Sequence, residues 1–139
     1  MERTKKFLEW PREILKHEDI EAVHKMRVAS RRLRAALDAY QSCCEPKMFK
    51  KVYRQVKKAA DVLGAARDTD VMLQNLQQQL AQTSTQHKAG VQWLINRLET
   101  YRQQTRQDLD AFLHALDEDK LKQQVRSCIS EGATLNGQS

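Results

Sequence analysis

Between Val23 and Arg34 the sequence sets His24, Lys25, Arg27, Arg31, Arg32 and Arg34 into twelve residues that contain no carboxylate. A guanidinium offers a planar fork that grips two oxyanion oxygens at once, and an ammonium is a mobile point charge, so a cluster of this kind is suited to anionic oxygen. Lys47, Lys50, Lys51, Arg54, Lys57 and Lys58 repeat the pattern further on. From Val23 to Ala60 there are 11 Lys and Arg against Asp38 and Glu45, a local charge of +9, while the whole chain of 139 residues carries +6. Charge so unevenly placed points to a polyanionic partner: nucleic acid, an anionic membrane surface or a phosphate polymer.

Other chemistries find less support. His24 could ligate a metal or accept a phosphoryl group, but no HExxH-type pairing surrounds it, and hydrogen bonding to phosphate or bracing of the neighbouring arginines is the expected role. Arg67, Asp68 and Asp70 could suggest acid/base work. Arg67, however, shares the azimuth of the apolar stripe, so these residues are expected to form a half-buried ion-pair network that holds helix register. Arg97, Arg102 and Arg106 either widen the basic surface or pair with Glu99, Asp108 and Asp110. Cys43, Cys44 and Cys128 make an odd count without paired spacing, as expected of reduced packing thiols. No metal site is expected.

The elements that must carry these residues are helical. Four Gly, two Pro and an aromatic share of 6% leave little material for strands or tight turns, and the length suits one domain. An all-α protein follows, read as an antiparallel four-helix bundle. Residues 1–18 form a basic, partly helical N-terminal segment, with Pro11 tolerated only near a helix start. The bundle spans 19–130. Its first long helix begins at Asp19 as N-cap and ends near Gln41, and Pro46 then breaks the chain. A second helix runs from about Lys47 to Ala81 with Gly64 as its weak point, "QTSTQ" is a loop, and a third covers about His87–Leu116. A short fourth follows "DED" and ends near Ser130, and residues 131–139 read as a disordered tail. No apolar run approaches the roughly 20 residues of a membrane span, and "MERTKKFLEW" lacks the apolar centre of a secretory signal, so the expected compartment is the cytoplasm.

Periodicity separates the faces. At 100° per residue Met26, Ala29, Leu33, Leu37 and Tyr40 fall within about 80° of one another, and His24, Arg27, Arg31 and Arg34 form a stripe on nearly the opposite side. In the second helix Phe49, Val52, Val56, Ala60 and Leu63 are the apolar stripe. Lys47, Lys51, Arg54 and Lys58 lie opposite, with Lys50 and Lys57 at the margin. The third helix would bury Val91, Leu94 or Ile95, Leu98, Tyr101, Leu109, Phe112 and Leu116; Leu121, Val125 and Cys128 or Ile129 would close the bundle. A solvated helix face usually interleaves signs, because like charges at i,i+4 repel. Here both stripes hold only like neighbours, so something anionic must offset them. A short connection makes the two helices antiparallel neighbours whose basic faces can adjoin.

The segment "AVHKMRVASRRLRAAL", followed about thirty residues later by "VLGAARDTDVML", resembles the two signature segments of the CHAD domain, the conserved-histidine α-helical domain: an HxxRVxxRRLR-type helix and an LGxxRDxDV-type helix. The resemblance covers roughly Asp19 to Ile129. It implies a helical bundle whose basic surface binds inorganic polyphosphate without catalysis, beside or fused to triphosphate- or polyphosphate-processing proteins and at polyphosphate granules. By position the family histidine is His24 and its arginines are Arg27, Arg31, Arg32 and Arg34. The usual domain of the family has two four-helix units related by a pseudo-twofold axis. This chain holds one, half of the double bundle, so either two chains pair as a homodimer, the reading favoured here, or the chain is a fragment or minimal form.

Three functions are thus ranked: polyphosphate binding, nucleic-acid binding, and a metal-dependent phosphohydrolase. The second lacks aromatics among the cations for base stacking, and the third lacks a cluster of metal ligands or a nucleophile with its base.

Overall fold

The computed structural model describes residues 1–17 and 20–137, with side chains described up to Cys128 apart from that of His17. In chain order the helices are α1 (Glu2–Phe7), α2 (Pro11–His17), α3 (Ile20–Ala39), α4 (Pro46–Gln82), α5 (Thr85–Ala115) and α6 (Glu118–Gly137), with one 3-10 turn at Gln41–Cys43. Among the described residues there is no strand. The protein is all-α, as composition implied.

Local chemistry explains the boundaries. Glu45 caps α4: its carboxylate accepts from the backbone N–H groups of Lys47 at 3.1 Å and Met48 at 2.8 Å, while Pro46 occupies the first turn, where its missing N–H costs nothing. Those two N–H groups, Met48's first, and then the Lys47 and Lys51 charges hold the Glu45 carboxyl below the ordinary glutamate range. Gly64 does not interrupt α4, which runs unbroken for 37 residues. The α4–α5 turn is tighter than "QTSTQ" suggested, with Thr83 and Ser84, both extended, as the caps on either side. At the other end Asp117 caps α6, accepting from Lys120 N–H at 3.0 Å. This helix extends to Gly137, past Ser130; of the expected tail, Gln138 and Ser139 lie outside the described residues, as does the expected N-cap Asp19.

Packing centres on α4, which lies between α3 and α5. The core takes Val23, Met26 and Leu33 from α3, Val52, Val56 and Leu63 from α4, Leu109 and Leu113 from α5, and Leu121 and Val125 from α6. The N-terminal segment belongs to it as well. Thr4, Phe7, Leu8, Pro11 and Ile14 are buried, and α1 packs on α3 and α6 while α2 packs on α3 and α5. Six helices therefore share the core where four were expected to carry it.

Three expectations are corrected. Tyr40 is 61% exposed and Tyr101 54%, because helical azimuth places a residue on a face but does not provide the neighbour that would cover it. The reduced thiols are not found at Cys44 and Cys128, which form a disulfide with Cα atoms 4.8 Å apart across 84 residues of sequence. Such a separation leaves no spacing signal; the return of α6 onto the 3-10 turn brings the two together. Asp70 does enter a buried ion-pair network, but among the described residues its partners are on α5 and Arg67 is not one of them. The Asp70 side chain, 1% exposed, accepts from Arg102 Nε at 2.8 Å and lies 3.6 Å from Arg106 Nη2, so Arg102 and Arg106 serve the α4–α5 register and not a wider basic surface. Among the described residues no helix is long and apolar enough to cross a membrane.

Candidate functional site

Each cation's position follows from the burial of its helix. α3 buries Ala22, Val23, Met26, Ser30, Leu33 and Leu37, which turns its basic residues outward to either side of a crest. Arg27, Arg31 and Arg34, at offsets of 0, 4 and 7, lean toward α4. Arg34 Nε donates to Tyr53 Oη at 3.3 Å, and its guanidinium carbon sits 5.6 Å from the centre of the Tyr53 ring. That hydrogen bond, followed by the tyrosine's charge interaction, raises the Arg34 pKa above the ordinary arginine value, so the group stays cationic at any working pH. Arg27 lies over Gly64: a Cβ built there would be 4.0 Å from Arg27 Nε.

On α4, Lys50, Tyr53 and Lys57 stand at offsets of 0, 3 and 7 and share the edge that meets α3. By helical azimuth Arg31, Lys50 and Lys57 fall along the seam that the Arg27–Gly64 and Arg34–Tyr53 contacts define. Lys47, Lys51, Arg54 and Lys58 do not join it. Their stripe rotates toward α5, where Arg54 and Lys58 line a groove of about 570 Å³ with Val62, Asp108, Phe112 and Leu116. The adjoining basic faces expected from the sequence are built by the marginal lysines and not by the main stripe of α4.

A second cationic groove lies between α1 and α3. His24, Lys25 and Arg32 line it with Arg3, Lys6 and Trp10, about 360 Å³ in volume, and Glu9 and Glu21 are also on its wall. Lys25 Nζ sits 5.1 Å from the centre of the Trp10 ring. His24 Nδ1 is buried and has no hydrogen-bond partner among the described residues. Arg3, Lys6 and Tyr53 escaped the sequence reading. Their signal was present in the i,i+3 pair of cations in "ERTKKF" and in the tyrosine between Lys50 and Lys57, but neither identifies its contact.

The electrostatics are one-sided. Among the described residues the ion pairs join Lys6 to Glu2 and Arg102 and Arg106 to Asp70; none involves a cation of the α3–α4 seam. Asp38 and Asp61 reach Arg34 only through the longer-range field. Such a seam can bind a string of oxyanions with bidentate arginines on one wall and mobile ammonium groups on the other. Among the described residues no three His, Cys, Asp or Glu side chains gather where they could hold a metal ion.

Comparison with known families matches the chain to the family model described as CHAD domain over residues 1–138. The chain belongs to the CHAD-domain family. No curated protein and no solved structure matches it. The match extends the CHAD domain through α1 and α2, and so includes Arg3 and Lys6 beside the signature helix. The two signature segments of this CHAD domain meet at the seam, where Arg27 of the first lies over Gly64 of the second.

Proposed function

We propose that this CHAD domain binds inorganic polyphosphate, without catalysis, along the seam between α3 and α4. The observation that carries the reading is the row Arg27, Arg31 and Arg34, fixed along about 10 Å of α3, faced by Lys50 and Lys57 and free of ion pairs with any described carboxylate. His24, Lys25 and Arg32, with Arg3 and Lys6, lead the polymer over the crest into the α1–α3 groove. Lys47, Lys51, Arg54 and Lys58 raise the local potential and hold chain that overhangs the seam. The same reading takes the fold as one half of the family's double bundle and places the protein in the cytoplasm, at polyphosphate granules, beside a triphosphate- or polyphosphate-processing protein.

The test is competition binding at several salt concentrations. If the coefficient of about 0.7 per phosphate contact for single-stranded polyanions carries over, the five seam cations give a slope of log affinity against log salt near −3.5. Arg31→Ala and Arg34→Ala should each reduce the magnitude of that slope by about 0.7. Nucleic acid displacing polyphosphate at equal phosphate would transfer the seam to a different polymer. Steady phosphate release from polyphosphate by purified protein would overturn the non-catalytic assignment.

A further inference from the structure

The α4–α5 hairpin carries an apolar flank on the side away from α3. The groove that contains Ile20 of α3 is lined on the hairpin by Asp70, Gln74 and Gln77 of α4 and by Glu99, Arg102 and Gln103 of α5. At 100° per residue Leu94 lies about 180° from Gln103, and Met72 about 160° from Gln74. The contact of Asp70 with Arg102 sets the antiparallel register, which brings Met72 level with Tyr101 and Leu76 level with Leu94 and Leu98. Met72 is 51% exposed, Leu94 45% and Tyr101 54%, with Leu76 and Leu98 half-buried between them. These are apolar side chains gathered on one flank, three of them exposed.

We infer that this flank is the interface with a second copy of the chain, the two hairpins packing across a twofold axis into a four-helix layer. Charge selects the occupant. Along the span of the flank, from Arg67 to Arg106, the ionisable Asp, Glu, Lys and Arg are Arg67, Asp68, Asp70, Lys88, Arg97, Glu99, Arg102 and Arg106, a balance of +2, against +9 for Val23 to Ala60. Contact through this flank lets two strongly basic molecules meet at their less basic ends, and an isologous interface needs the same low charge on both sides. The area suffices. A flank about 28 Å long, from His87 to Arg106, and about 20 Å wide covers on the order of 560 Å² on each chain, at the lower end of specific interfaces. An interface of that size belongs to the weak, transient class, and the inference is independent of the polyphosphate reading.

Sedimentation equilibrium of the full chain tests it, in a Cys43→Ser background that keeps intermolecular disulfides out of the measurement. The mass should rise from 16.2 kDa toward twice that value as protein concentration is raised to 200 μM. Leu94→Glu and Tyr101→Glu, both at exposed positions, should each weaken association at least 30-fold with unchanged far-UV circular dichroism. Gln103→Glu, on the opposite flank, should leave it unchanged. A chain that stays at monomer mass at 200 μM overturns the inference, as does a dimer indifferent to both flank substitutions or equally sensitive to Gln103→Glu.

Discussion

Replacing Asp70 by alanine should be among the most damaging single substitutions in this protein. Its carboxylate is 1% exposed and faces two guanidinium groups from α5, Arg102 at 2.8 Å and Arg106 at 3.6 Å. Removing one partner of a buried ion pair costs about 3–5 kcal/mol, because the opposite charge stays desolvated and uncompensated. The two arginines share that cost unequally. Arg102 is 33% exposed and can turn toward water, whereas Arg106 is 9% exposed and cannot. About 3–4 kcal/mol is therefore expected, a quarter or more of the stability of an ordinary domain. In a chain of this size the loss corresponds to a fall in Tm of about 10–15 °C. Urea unfolding followed by circular dichroism measures it. The double variant Asp70→Ala/Arg106→Met should recover at least 1 kcal/mol relative to the sum of the single changes, since it removes both sides of this buried contact together. If Asp70→Ala lies within about 1 kcal/mol of the parent, or the cycle shows no coupling, the pair does not hold α4 to α5 and the reasoning fails.

Glu45 makes a pH prediction. Its folded pKa is depressed by the Met48 and Lys47 N–H groups, so the stability it contributes is fully present above the unfolded value of about 4.3 and is lost as pH falls through the lower folded value. The Tm difference between parent and Glu45→Gln should be constant from neutral pH down to about 5 and close on further acidification; a difference that widens in acid would contradict the assignment. Reduction, or Cys128→Ser, releases the 84-residue link between Cys44 and Cys128, and chain-entropy estimates put the ceiling of the loss near 4.5 kcal/mol, readable as a lower urea midpoint. Gly64→Ala meets only ordinary contact with Arg27 and replaces a poor helix former inside α4, so it should raise stability by up to about 1 kcal/mol in the same urea assay.

Much of the architecture is readable before folding because helix formation and termination are local. Pro46 stands beside a capping carboxylate, "TST" marks the α4–α5 turn, and the 3.6-residue period of Met26, Leu33 and Leu37 or of Val52, Val56 and Leu63 identifies buried faces that the structure reproduces. The signature residues from His24 to Arg34 are equally local: their spacing alone puts them on the outer half of one helix.

Azimuth says which residues share a face, but only the neighbouring element decides what that face meets. Lys50 and Lys57, marginal by periodicity, reach the seam because α4 turns the Tyr53 edge to α3, while the Lys47–Lys58 stripe faces α5. Asp70 finds Arg102 across 32 residues and Cys44 finds Cys128 across 84, since pairings over such distances depend on how helices stack and leave no trace in spacing. Tertiary packing also drew α1 and α2 into the core and with them Arg3 and Lys6 to the side of His24. Repulsion along a single helix declares that an anion is wanted; the shape of the surface that receives it exists only once separate helices are brought together.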